Sequence, residues 1–497
     1  MFKNFPGYKL LERIQKNKSH KRERKLPLNA IKLIFIVAIT SIIALLPTES
    51  FGIEGLTVVH QRIISLFVFA ALMWLTEAMP SWVTSMIVVT IMLLTVSTSA
   101  FNFLRPEGGV GLVPFKSIMA CFANPTIMLF IGGFVLAIGL TKVKLDVALA
   151  RVLLKPFGTR SEIVLLGFIL VTAIFSAFVS NTATAAMMLA FLTPVLRSLP
   201  ADGKGRIALA LAIPVGANLG GMITPIGTPP NMIALDYLSS QGMGISFVDW
   251  TIKMAPFVII LLLLSWLLLR ILFPFKQKHI KIEIEGDIKW DRHTWSVVAA
   301  FVITIFMWMF GTDLWGVDTN VVAMIPIAIF CATGILTRRD LEEINWSVLW
   351  MVAGGFALGV ALNYKDASSV SLSSLIVNTV PFDNFSPLVV MILAGIICFG
   401  FSNFISHSAA TSLLVPVLGV VAGGLGASLD SYGGPQAMLV GIAIASSVSM
   451  ILPISTPPNA IAHSTGFIEQ KDMMKVGIII GLMGLALGYA MLIFIGF

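Results

Sequence analysis

The chain has 497 residues, of which 57% are hydrophobic and only 12% charged, with a formal net charge of +8. A soluble protein of this length needs far more charge to cover its surface, so the repeated apolar stretches of about 20 residues, each able to cross a bilayer core, mark an all-α polytopic membrane protein. Three cysteines (Cys121, Cys331 and Cys398), all in apolar runs, form neither a disulfide framework nor a metal-ligand spacing and read as buried small hydrophobes.

In chain order, positive charge comes first. Residues 1–32 hold ten Lys or Arg against Glu12 and Glu23. No small-residue cleavage site follows Ile31–Leu46, so 1–30 is read as a basic cytoplasmic tail and 31–47 as the first membrane helix. The tail has no aromatic interleaving, which favours lipid headgroups over nucleic acid as its neighbour. Further spans are expected near 60–78, 81–99 and 118–140. Glu77, just before Pro80, reads as a structural carboxylate with a buried partner. A block at 161–198 is too long for one span and is interrupted by SNTATA. A helix over 205–241 breaks at TPIGTPPN, a span follows near 252–274, and residues 275–293 form a charged linker. Helices are then expected near 294–311, 319–336 and 346–364, an interrupted block at 385–422, a helix over 434–466 broken at LPISTPPN, and a last helix at 473–496.

The interrupted blocks read as re-entrant hairpins, because irregular backbone at membrane depth is tolerated only where protein buries it or a cavity hydrates it. About eleven crossings and two hairpins place Lys142 to Arg160, Lys276 to Arg292 and Arg338 with Arg339 on the cytoplasmic side, as the positive-inside rule requires. The N-terminus is then cytoplasmic and the C-terminus outside. FIGGFVLAIGL at Phe130 resembles MVAGGFALGVAL at Met351, and ITPIGTPPNMIA at Ile223 resembles ILPISTPPNAIA at Ile451. Each half holds five crossings and one hairpin, and the halves start on opposite sides. Inverted repeats with discontinuous helices are the architecture of secondary transporters, with the ligand near the midplane.

The two hairpins admit two registers. Placing Ser180-Asn181-Thr182 on Ser402-Asn403-Phe404 keeps the Asn but sets a Phe against a Thr. Placing SAFVSNT at Ser176 on SNFISHS at Ser402 keeps both Phe and both β-branched positions, and sets His407 against Asn181 and Ser408 against Thr182. The second register is preferred, so the second tip is Ser406-His407-Ser408. Hairpin tips and proline-held breaks expose helix N-terminal N–H groups and hydroxyls, which suit an anion. Two facing copies suit an anion with a charged group at each end. Neither tip carries Lys or Arg, so His407, helix dipoles or bound cations must supply positive charge. One lone histidine is too little for a membrane enzyme, and two capped hairpins do not form the continuous polar pore of a channel.

SNT at Ser180, GTPPN at Gly227, STPPN at Ser455 and TEAMP at Thr76 resemble the divalent anion/sodium symporter family of di- and tricarboxylate transporters, over nearly the whole chain after the tail. The resemblance implies homodimers in which a scaffold (31–140 and 294–364) holds a transport domain (161–274 and 385–497) that slides as an elevator. It implies a substrate site from Asn181, Thr182, Thr228 and Pro229, with Ser408, Thr456 and Pro457 opposite and His407 beside them. It implies one sodium site near Ser176, Ser180, Asn181 and Gly227, and a second near Ser402, Ser406 and the position of His407. The family has Asn where this chain has His407, and Thr where it has Ser408. A histidine is a poor sodium ligand, so the second sodium site is expected to be replaced. The expected activity is sodium-independent exchange of malate, succinate, fumarate or 2-oxoglutarate, with sodium-coupled symport as the alternative and no other cofactor.

Overall fold

The computed structural model describes residues 26–200, 203–280, 289–366, 370–381 and 385–497. The basic tail up to Lys25 and positions 281–288 of the linker lie outside the described residues. What is described is helical, and strand-like pairing is limited to isolated bridges.

Helix α1 (Leu26–Leu45), α2 (Val58–Thr76) and α3 (Ser81–Thr95) lead to a short α4 (Phe115–Ala120) and α5 (Pro125–Lys142). Asn124 caps α5 by accepting from the Thr126 amide at 2.7 Å, with Pro125 at the first helical position, where its missing N–H costs nothing. After α6 (Leu145–Leu154) come the two arms of a hairpin, α7 (Ser161–Phe178) and α8 (Asn181–Ser198). A broken helix follows, α9 (Gly205–Gly220) and α10 (Pro229–Ser240), then α11 (Phe247–Leu272). The second half repeats the order: α12 (Arg292–Trp315), the α13 (Thr319–Val322) and α14 (Met324–Ala332) pair, α15 (Arg338–Glu342) and α16 (Trp346–Asn363). Then come α17 (Leu372–Thr379), the hairpin arms α18 (Pro387–Phe404) and α19 (His407–Leu425), the broken helix α20 (Gly434–Ser447) and α21 (Pro457–Ser464), and α22 (Gln470–Phe494).

Among the described residues, nine helical segments are long and apolar enough to cross a membrane. Six of them outside the hairpins, with five crossings made by shorter helices or broken pairs, give eleven crossings. The first hairpin enters and leaves at one end. At its start, Ser161 N–H and Oγ donate to Lys278 O (3.0 Å) and Gln277 O (2.5 Å). At its far end, Leu199 and Pro200 line the same hollow as Phe275 to Gln277. The second hairpin closes likewise, with α18 packed on the 426–432 segment that follows α19.

The repeated Gly-Gly pairs are explained by packing between halves. A Cβ on Gly132 of α5 would lie 2.4 Å from Ala323 O, and one on Gly354 of α16 would lie 2.4 Å from Ser85 Cβ of α3. Each repeat's glycine helix thus closes on the other repeat through a residue too small to be replaced. At the basic end, Lys142 of α5 donates to the Ile335 carbonyl at 2.5 Å and to the Asp340 carboxylate of α15. Burial pushes the Asp340 carboxyl up, but Lys142 and Thr337 outweigh it and hold it below the usual carboxylate range.

Glu77 is itself exposed and ends α2 in the left-handed conformation (φ 47°), so the TEAMP segment turns the chain between α2 and α3. One expectation is corrected: Cys331 is exposed, unlike Cys121 and Cys398. It lies one residue from the end of α14, whose composition is apolar apart from it, so an apolar run does not by itself bury the thiol. The short α4, α6, α15 and α17 were not expected; none has the length that a span-sized apolar run announces.

Candidate functional site

The two hairpins fall into one register. Phe178 and Phe404 end the first arms, Ser180 and Ser406 are the N-caps, and Asn181 and His407 open the second arms. Ser180 Oγ accepts from Ala183 N–H at 3.3 Å, and Ser406 Oγ from Ala409 N–H at 3.2 Å. Asn403, which the rival register would place at the tip, is instead buried in the last turn of α18. It donates to Phe399 O at 2.7 Å and accepts from Ile451 N–H at 2.8 Å, tying the hairpin to the second helix break.

The breaks are held open by the asparagine of each TPPN motif. Asn231 Nδ2 donates to Gly221 O (3.0 Å) and Thr224 O (2.8 Å), and Asn459 Nδ2 donates to Met450 O (2.8 Å) and Leu452 O (3.1 Å). Carbonyls that a continuous helix would have used for itself are thus satisfied by one buried side chain. Thr228 and Thr456 precede the proline pairs as N-caps. Thr456 Oγ1 accepts from Asn459 N–H at 3.2 Å, whereas Thr228 makes no such cap bond.

Packing crosses the repeats: α8 lies on α21, and α10 on α19. Each tip meets the break of its own half, Asn181 beside Ala217 and Gly227 and His407 beside Ser449, and Asn218 on α9 joins the two breaks, donating to Thr456 Oγ1 (3.2 Å) and Asn459 Oδ1 (3.1 Å). Among the expected site residues, Thr228, Thr456, His407 and Ser408 are buried, Asn181, Thr182 and Pro229 are half-buried, and Pro457 is exposed. The motif asparagines Asn231 and Asn459, together with Asn218, were not singled out from sequence. The signal was present: an Asn follows both proline pairs.

At the first tip, Ser176 Oγ, the Asn181 amide, Ala217 O and Gly227 O converge. With its nitrogen inward, the amide donates to Gly227 O (3.0 Å), Ala217 O (3.3 Å) and Ser176 Oγ (2.6 Å). With its oxygen inward, the cage is a set of hard oxygen donors with only the Ser176 hydroxyl proton among them, already 2.7 Å from Ala217 O. That second arrangement fits a cation such as sodium, held by Ser176, Asn181, Ala217 and Gly227. Ser180 is committed to its cap. The second tip differs. His407 Nε2 lies 2.5 Å from the Ser449 carbonyl, a helix-break oxygen that a ring N–H reaches directly. Ser446 Oγ donates to His407 O at 2.9 Å, and Ser402 Oγ to Ser446 Oγ at 3.3 Å, so these hydroxyls serve the imidazole's own segment.

A cavity of about 680 Å³ lies between α10, α16, α17 and α19, lined by Asn124, Asp236, Asn363, Lys365, Ser374 and Ser412 among others. It lies at the far end of α10, away from the 275–280 linker against which α9 begins. Ser412 and Ile233 line it one helical turn beyond Ser408 and Pro229.

Residues 28–496 match the family described as "Sodium:sulfate symporter transmembrane region". An uncharacterized transporter of Haemophilus influenzae is 31% identical over 469 residues, 91% of this chain and 94% of that one. The sodium-dependent dicarboxylate transporter SdcS of Staphylococcus saprophyticus is 28% identical over 461 residues, 85% of this chain and 83% of that one. Among solved structures, the Alcanivorax borkumensis YdaH transporter aligns with a TM-score of 0.53 at 12% identity, over 86% of this chain and 97% of that one, a likeness of fold alone.

Proposed function

The chain belongs to the sodium:sulfate symporter family, also called the divalent anion/sodium symporters, and we propose that it exchanges C4 or C5 dicarboxylates across the cytoplasmic membrane without sodium. Malate, succinate, fumarate and 2-oxoglutarate are the candidate substrates, and the family relative named as a dicarboxylate transporter supports that class. The observation that carries the exchange reading is the second tip. There an imidazole nitrogen bonds the break carbonyl of Ser449, where the first tip offers the carboxamide of Asn181.

In this reading the substrate spans the two halves. One carboxylate meets the N-terminal turn of α8 with Asn181 and Thr182, beside Thr228 and Pro229. The other meets the turn of α19 with His407 and Ser408, beside Thr456 and Pro457. The N–H groups of these first turns have no helical acceptor of their own and favour an anion. A protonated imidazole is a cation that stays with the protein. It cannot leave with the substrate or be driven by a sodium gradient, and an unneutralised charge is costly to carry through the membrane. Return with a bound anion is then favoured, which is exchange.

The remaining parts follow the family's design. Helices α1 to α5 and α12 to α16 form a scaffold that pairs two copies, and the hairpins and broken helices move against it as an elevator. With the basic linker end in the cytoplasm, the cavity opens to the outside. A second reading, sodium-coupled symport, is favoured by the oxygen cage at Asn181 and by the name of the sodium-dependent relative. Counterflow tests the carrier reading: preloaded unlabelled succinate should draw labelled succinate into liposomes. Uptake indifferent to internal substrate would contradict exchange.

A further inference from the structure

Resting on the dicarboxylate reading, we infer that Asn218 is a positioning residue for the half-site at the turn of α19: it commits the Thr456 hydroxyl to donate its proton to the carboxylate held there. Asn218 belongs to the first repeat and is buried, yet among the described residues its side chain bonds only to the second repeat, at Thr456 and Asn459.

The commitment is passed along a chain of fixed hydrogen-bond polarities. It starts at the Met450 and Leu452 carbonyls, which can only accept. Asn459 must turn its Nδ2 toward them, at 2.8 and 3.1 Å, so its Oδ1 faces elsewhere. That oxygen can only accept, so Asn218 must present its own Nδ2 to it, at 3.1 Å. The other proton of that Nδ2 serves Thr456 Oγ1, at 3.2 Å. The reverse orientation of Asn218 would set oxygen against oxygen at Asn459, and the amide keeps the present one although its own Oδ1 is buried without a partner among the described residues. Thr456 Oγ1 also accepts from the Asn459 backbone N–H at 3.2 Å, so both of its acceptor positions are filled. Its O–H donates to no acceptor among the described residues, a deficit that a carboxylate oxygen fills.

No backbone donor at the start of α21 can replace this hydroxyl. Pro457 and Pro458 have no N–H, and the N–H groups of Asn459 and Ala460 are spent on Thr456 Oγ1 and Thr456 O. The first repeat lacks the chain of polarities. The register that carries Thr228 to Thr456 carries Asn218 to Ser446, and Ser446 Oγ donates within its own repeat, to His407 O at 2.9 Å. Asn231 Oδ1, the counterpart of the oxygen that Asn218 engages, is buried without a partner among the described residues, and Thr228 makes no cap bond. The Thr228 hydroxyl thus stays free to donate or accept, whereas Thr456 must donate. A group that must donate suits an ionised carboxylate, which only accepts.

The test is a double-mutant cycle on labelled succinate uptake into preloaded proteoliposomes, with native protein, Asn218→Ala, Thr456→Val and the double variant. Asn218→Ser, the residue type that the second repeat carries, is run beside Asn218→Ala so that the cycle closes on a folded protein. Thr456→Val removes a donor to a charged group and should raise the half-saturating succinate concentration about 10-fold. Asn218→Ala should raise it in the native background and not in the Thr456→Val background, where no hydroxyl is left to position. Its lost bond to Asn459 weakens the fold in both backgrounds alike, so a merely structural role gives equal rises. Equal rises in both backgrounds, no rise in the native background, or a native-like Thr456→Val each overturns the positioning role. If native protein takes up no succinate, the dicarboxylate reading falls and the inference with it; native uptake with equal rises sinks the inference alone.

Discussion

His407 and Asn181 occupy the same place in the two repeats and satisfy the same kind of group by different means. Asn181 turns a carboxamide toward Gly227 O at 3.0 Å, while His407 sets Nε2 2.5 Å from Ser449 O. A carboxamide can rotate to present either oxygen or nitrogen, and so can admit or dispense with a cation. An imidazole nitrogen can only donate here, or be bare.

His407→Asn should therefore make uptake more responsive to sodium. Substrate binding and protonation of His407 reinforce each other by linkage, so the variant should also lose part of the pH dependence of uptake. Initial rates measured as a function of pH, with sodium or choline, check both. An unchanged response to sodium and to pH would remove His407 from the coupling.

Asn181→Ala and Thr228→Ala should each lower uptake at subsaturating succinate while the protein still folds. Each removes a hydrogen-bonding group from the proposed site, worth about 1–3 kcal/mol, or 5- to 150-fold. Monodisperse elution with native-like uptake would dissolve the site assignment.

Asn231→Ala and Asn459→Ala should cost stability as well as transport, because two break carbonyls lose their donor at each position. A loss of about 1–3 kcal/mol is expected for each buried group left unpaired. Asp at either position should be worse than Ala, since it sets an acceptor against acceptors. Thermal unfolding of the purified variants ranks them, and Asp equal to Asn would show that the side chain accepts rather than donates.

Asp340→Asn should loosen the α5–α15 junction by about 1–3 kcal/mol, because Lys142 and Thr337 lose a carboxylate partner. The folded-state pKa of Asp340 is depressed, so its contribution is present above the unfolded carboxylate range and fades as pH falls through the folded value. The native protein should lose stability below about pH 4, and the variant should lose less there. Melting curves at pH 3 to 7 measure the difference.

Phe178 at the first hairpin tip faces Phe301 of α12, with ring centroids 6.3 Å apart. Cysteines at both positions, in protein lacking Cys121, Cys331 and Cys398, should stop transport when joined by a short thiol cross-linker. Full transport through a verified cross-link would rule out sliding of the hairpin past that helix.

Much of this was legible in the sequence because it rests on backbone chemistry. Paired prolines announce both helix breaks, and the Phe and β-branched positions flanking Ser180 and Ser406 select the register that the N-caps show. Other parts were not legible. The end of α2 at Glu77 was not legible, because the positive φ that stops the helix there falls on a residue other than glycine. Asn218 could not be read as a link between repeats, because its partners are 238 and 241 positions away. Asp236 and Lys365 share a wall only after α10 and α16 fold beside each other. Small helices such as α6 and α15 carry no span-length signal at all.

The central claim is exchange without sodium, and one measurement bears on it most directly. Labelled succinate is offered to proteoliposomes that are either empty or preloaded with unlabelled succinate, with sodium replaced by choline throughout and then restored. The account predicts rapid uptake into preloaded vesicles in choline, little into empty ones, and no gain when sodium returns. Strong uptake into empty vesicles that requires sodium would contradict it, and would assign the cage at Asn181 to a coupling ion.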